Sequence, residues 1–131
     1  MGNFTNYTPS QRFLHKTKAT RCEAYNIILL LALWEEQAFR SGSEKWSWRE
    51  RVRASVCFGL LHIANIWYSF AAGIALSVTG FGFLLVYLWY YRKYCSQIIA
   101  TAAAATVHAL YNAIALSLIA VVLAIDIAKL L

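Results

Sequence analysis

Charged and apolar residues fall in long separate blocks along this chain. From Ala54 to Tyr91, 38 consecutive residues include no Lys, Arg, Asp or Glu, and Tyr94 to Ile125 adds 32 more. About 20 apolar residues in a helix cross a bilayer core, so these two runs hold about three spans. A Leu- and Ile-rich run between Tyr25 and Arg40 supplies a fourth. The pattern predicts helices over about Tyr25–Phe39, from Trp48 or Arg53 to Asn65, over Ser69–Tyr91, and over Gln97–Ala128. Ser41-Gly42-Ser43 breaks the first from the second. The last, at roughly 30 residues or about 45 Å, has to tilt, break or emerge. The expected fold class is an all-α membrane protein, a bundle of about four transmembrane helices around a polar cavity. Residues 1–22 form a polar, basic N-terminal segment along the membrane surface, with Pro9 and Ser10 as a helix start. Residues 23–131 form the transmembrane core. Gly73, Gly80 and Gly82 are expected to let the third helix approach its neighbours closely.

Composition sharpens this picture. Apolar residues make up 60% of the 131 and charged residues only 14%, whereas a soluble domain carries nearer a quarter charged. The formal charge of +6 comes from Lys and Arg placed between the apolar runs, where head groups attract them, so no nucleic-acid partner is expected. Trp46 and Trp48 in the 41–53 loop, and Tyr87 to Lys93, look like head-group borders. Gly82 and the aromatic residues of the third helix read as packing and border residues. Cys22, Cys57 and Cys95 lack metal-type or CxxC spacing and are expected to be buried thiols. Asn3-Phe4-Thr5 and Asn6-Tyr7-Thr8 fit the N-glycosylation tripeptide.

Ionisable side chains inside spans are costly and mark function. Those away from the borders are Glu35, Glu36, His62 and His108, with Asn112 as an uncharged companion. If successive helices alternate in direction, Glu35 lies about 8 Å below the face where the first helix ends. His62 lies about 14–21 Å below that face and His108 about 16 Å. All three then occupy the same half of the bilayer. Glu36 and Arg40 are four residues apart and pair on one helix face. Glu35 is rotated about 100° from Glu36 and is free to face a pocket. His108 and Asn112 project together, as do Phe58 and His62. A carboxylate withdrawn from water is a better base toward water, and a neighbouring His and Asn supply donors to an oxyanion. The chemistry that fits is hydrolysis of a peptide bond by an activated water.

These residues also fall into three motifs. Glu35-Glu36-Gln37-Ala38-Phe39-Arg40 reads EExxxR, Phe58 to His62 reads FxxxH, and His108 to Asn112 reads HxxxN. Their order and spacing over about residues 34–115 resemble the CPBP family of intramembrane proteases, which includes CAAX proteases, bacteriocin-processing enzymes and Abi-type proteins. The resemblance implies that Glu35 and His62 activate the attacking water and that His108 and Asn112 form the oxyanion site. Glu36, Arg40 and Phe58 would be supporting residues, and no metal cofactor would be needed. The implied partners are the lipid bilayer and a lipidated or membrane-associated peptide or protein substrate, with a homo-oligomer as an option. The family usually has Gly directly after the motif Arg, whereas Ser41 intervenes here. The chain is also short beside typical members.

Other readings stay open. Two His and a Glu also make a familiar zinc set, although HExxH is absent and Asn112 is a poor zinc ligand. A non-catalytic membrane interaction or bacteriocin-immunity protein that keeps the family core is the functional alternative. A rhomboid-like site would want a GxSx-type motif and a presenilin-like site two membrane aspartates, but the sole Asp is Asp126. Four short helices leave little room for a transporter's alternating access. Seven basic residues flank the face nearest Glu35 and five flank the other, which points the mouth of the site to the cytoplasm.

Overall fold

The computed structural model describes residues 8–66 and 70–130, and their side chains apart from residues 9, 11–22 and 64–66. Asn3, Asn6 and the side chain of Cys22 lie outside these described parts. Among the described residues the chain is all-helical. It comprises α1 (Pro9–Arg40), a 3₁₀ turn (Ser43–Lys45), α2 (Trp48–Ile66), α3 (Phe70–Tyr94) and α4 (Gln97–Leu130). Helices α2, α3 and α4 fall close to the ranges expected from the apolar runs. Helix α1 starts 16 residues before Tyr25, at Pro9. No Gly or Pro interrupts residues 10–40, so nothing stops a helix begun at Pro9 from running on into the apolar stretch.

The connections are fixed by local chemistry. Gly42 ends α1 in the left-handed region, at φ 86°, which costs glycine little. Ser47 and Glu50 cap α2 reciprocally. The Ser47 N–H donates to Glu50 Oε2 at 2.7 Å and the Glu50 N–H to Ser47 Oγ at 3.4 Å, an arrangement that satisfies two otherwise orphan amides. Ser96 caps α4 through the Ile99 N–H.

Helix α3 packs against both α2 and α4, and α1 lies mainly on α4. The α2–α3 seam depends on small residues. A Cβ at Gly59 would strike Ser77 and the Gly73 carbonyl, one at Gly73 would strike Ile63, and one at Gly80 would lie 2.7 Å from Phe58 Cδ1. Gly82 meets nothing within 4 Å, which corrects the expectation for that residue. It sits about 200° around the helix from Gly80 and faces outward. Cys57 and Cys95 are exposed free thiols, not buried ones. Cys57 sits on the outer face of α2, and Cys95 occupies the α3–α4 turn.

Buried side chains collect where α1 ends, α2 begins, α3 ends and α4 begins: Glu36, Arg40, Ser43, Phe58, Leu84, Tyr87, Ala100, Ala104 and His108. Beyond this packed end α4 continues with every residue from Leu116 to Leu130 exposed. Among the described residues two helices, α3 and α4, are long and apolar enough to cross a membrane. Helix α2 is shorter and carries Arg49, Glu50, Arg51 and Arg53 in its first turns, and α1 shares its length with a polar segment.

Candidate functional site

Glu35 and Glu36 occupy adjacent positions near the end of α1 and serve different partners. The Glu36 side chain is fully buried. Its Oε1 lies 2.9 Å from His108 Nδ1 and 3.2 Å from Arg40 Nη1. Arg40, 1% exposed, donates from Nη2 to the Gly80 carbonyl at 3.0 Å. Its guanidinium also lies over the Phe58 ring, 4.4 Å from the centroid, a favourable place for a cation. An unpaired buried charge would be very costly, and here each buried charge has an opposite one beside it.

His62 follows Phe58 by one turn, and its Nδ1 lies 2.8 Å from the Phe58 carbonyl oxygen. A carbonyl only accepts, so Nδ1 carries a hydrogen and the ring turns Nε2 outward. That hydrogen is assigned from the partner. His62 Nε2 is 3.7 Å from Glu35 Oε2, and His108 Nε2 is 3.6 Å from the same oxygen. Glu35 Oε2 is buried and accepts no direct hydrogen bond among the described residues. The three helices α1, α2 and α4 thus bring one carboxylate oxygen and two imidazole edges together.

Aromatic rings hold this arrangement in place. Phe83 stacks on His108 with centroids 4.5 Å apart, and the Phe58 edge meets the same ring at 5.6 Å. Phe83 therefore does more than pack α3 against its neighbours, as its place in the sequence had suggested. Among several packing aromatics nothing marked it out.

The cluster opens onto a cavity of about 430 Å³. Glu35, His62, His108 and Asn112 line it together with Phe58 and Tyr111, and Ile28, Leu31, Leu116 and Ile119 form apolar walls. Asn112, one turn beyond His108, thus shares the cavity of the three ionisable groups. Glu36 and Arg40 sit behind it. Among the described residues, which include Glu35, His62 and His108, no group of three or more His, Cys, Asp or Glu is placed to hold a metal ion.

A polar strap closes the packed end above the cluster. Glu44 receives a 2.6 Å hydrogen bond from Gln97 Nε2 at the start of α4 and a 2.9 Å bond from the Tyr87 hydroxyl of α3. The Gly42 N–H donates to the same hydroxyl at 3.3 Å, and Arg51 donates to the carbonyls of Ser43 and Glu44. Partial burial pushes the Glu44 carboxyl up, but the hydrogen bonds from Gln97, its own backbone N–H and Tyr87 outweigh this and hold it below the usual glutamate value. Sequence reasoning missed this strap, because its partners are 43 to 53 residues apart.

No protein-family model, curated protein or solved structure gives a significant match to this chain.

Proposed function

We propose that this chain is a multi-pass membrane peptidase of the CPBP type, a four-span helical bundle that cleaves a peptide bond of a membrane-associated or lipidated substrate. One observation carries the reading: Glu35 Oε2 lies 3.6 and 3.7 Å from two imidazole nitrogens on different helices. These distances are too long for direct hydrogen bonds and put both imidazole edges within reach of a water held at the same carboxylate. The outward-facing apolar helices support lipid as the solvent. Of the most apolar stretches of α3 and α4, only 28% and 0% are buried within the protein, so their side chains need another apolar medium. The EExxxR, FxxxH and HxxxN motifs support the family.

In this reading one water donates hydrogens to the Glu35 carboxylate and to His62 Nε2. Its oxygen attacks the scissile carbonyl carbon as Glu35 takes a proton, and the C=O electron pair moves onto the carbonyl oxygen. His108 and Asn112 face the negative charge that develops there. Collapse re-forms the C=O bond and breaks the C–N bond, and the amine departs with the proton Glu35 had accepted. The apolar walls from Ile28 to Ile119 hold the adjoining apolar part of the substrate. The site's mouth faces the cytoplasm in the orientation that the basic residues favour.

The test uses purified protein in vesicles with a panel of prenylated C-terminal peptides and leader-bearing peptides, read by mass spectrometry. The intact protein should cleave members of one class, and Glu35→Gln and His108→Ala should lose cleavage by at least about 10²-fold while inserting normally. Undiminished cleavage by Glu35→Gln, or none by the intact protein, overturns the proposal.

A further inference from the structure

The two histidines of the cluster present the same edge to Glu35 yet are backed by different groups. His62 Nδ1 rests on a neutral backbone carbonyl, that of Phe58, at 2.8 Å. His108 Nδ1 rests on a fully buried carboxylate, that of Glu36, at 2.9 Å. Glu36 is held in turn by Arg40, and Arg40 is fixed by the Gly80 carbonyl and the Phe58 ring. The line Gly80–Arg40–Glu36–His108 therefore crosses from α3 through α1 to α4 and ends at the edge of the ring that faces the cavity.

We propose that Glu36 is the positioning residue of this site, fixing the His108 ring with Nδ1–H turned away from the cavity and Nε2 turned into it. A carboxylate behind an imidazole selects the tautomer and stabilises positive charge on the ring when the other nitrogen also holds a proton. With Nδ1–H held on Glu36, Nε2 takes a second proton from solvent. The charged ring presents that N–H to a developing oxyanion, a charge it loses when Glu36 is removed. His62, backed only by a carbonyl, keeps an acceptor for the water. Glu36 thus makes two similar residues unlike each other. Arg40 supplies the balancing charge that keeps a carboxylate tolerable at this depth. The part of this role that concerns catalysis rests on the peptidase reading; the ring geometry does not.

Glu36→Leu alone would strand Arg40 as a buried cation, so the informative variant is Glu36→Leu with Arg40→Met, which removes both charges and keeps apolar volume. The chain contains three histidines, so ¹⁵N-histidine labelling in micelles resolves them, with His62→Gln and His108→Gln as assignments. In the intact protein the His108 Nδ1 should be protonated. In the double variant the ring should revert to the Nε2–H form while His62 is unchanged. If the peptidase assay reports cleavage, kcat of the double variant should fall by about 10²–10³-fold with KM nearly constant. An unprotonated His108 Nδ1 in the intact protein, or an Nδ1–H that persists in the double variant, overturns the proposal whatever the peptidase result. So does an unchanged kcat in a protein that cleaves.

Discussion

Gly59 sits where α2 and α3 touch, one residue past Phe58 and three before His62, so Gly59→Ala perturbs packing and site together. Its new Cβ would lie 2.7 Å from the Ser77 backbone nitrogen, and closer still to Ser77 Oγ and the Gly73 carbonyl. The nitrogen contact alone is 0.7 Å short of the 3.4 Å at which ordinary contact begins. Backbone atoms cannot swing aside like the end of a flexible side chain, so α2 has to move off α3 by about 1 Å. Overpacking of this kind costs about 1–3 kcal/mol. The same displacement would stretch the 3.7 Å gap between His62 and Glu35, and a misplacement of about 1 Å costs about 10²-fold in rate. The assay is thermal unfolding in detergent alongside peptide cleavage, with Gly82→Ala as the matched control. Gly82 has nothing within 4 Å, and Ala is the better helix former by about 1 kcal/mol, so that control should melt at or above the parent. A Gly59→Ala protein that melts and cleaves like the parent would refute the close-packed seam.

Further outcomes follow from the strap and the turn before it. Gly42→Ala forces a side chain into φ 86° and should cost about 1–2 kcal/mol, seen as a lower melting temperature, although no neighbouring atom obstructs the methyl group. Tyr87→Phe removes the hydroxyl that serves both Gly42 and Glu44 and should cost about 1–3 kcal/mol on the same measurement. Because the folded Glu44 carboxyl is held below its ordinary value, the stability it contributes is complete above the unfolded value of about 4.3. That contribution should be lost as pH falls through the lower folded value. Melting curves between pH 7 and pH 3 should therefore show a loss that Glu44→Gln reduces. Cleavage should survive treatment with a strong chelator; loss that added zinc restores would contradict the metal-free reading.

The helices were legible because their signal is a block of apolar residues, and that signal also explains what was missed. It marks where the apolar stretch starts and not whether an earlier helix runs into it, so the helix start at Pro9 and the apolar helix from Tyr25 read as two elements when they are one, α1. Spacing within one helix was equally informative: the four-residue step from Glu36 to Arg40 gave their ion pair, and the 100° turn from Glu36 explains why Glu35 serves other partners. Contacts across the bundle depend on rotation and register, which no local spacing encodes. The bond from Glu36 to His108 spans 72 residues, and the stacking of Phe83 and the strap at Glu44 are hidden for the same reason. Gly59 was read only as filler within FxxxH, and Gly82 as a contact, because a glycine's face is set by the neighbour it meets.

The account's core is that Glu35 and His62 act on one water, and a double-mutant cycle on the cleavage rate tests that most directly. Residues that act as a unit are strongly non-additive. Glu35→Gln and His62→Ala combined should therefore be no slower than the slower single variant, within about threefold. Losses that multiply in the double variant would mean that the two side chains work independently, and the shared-water site would be wrong.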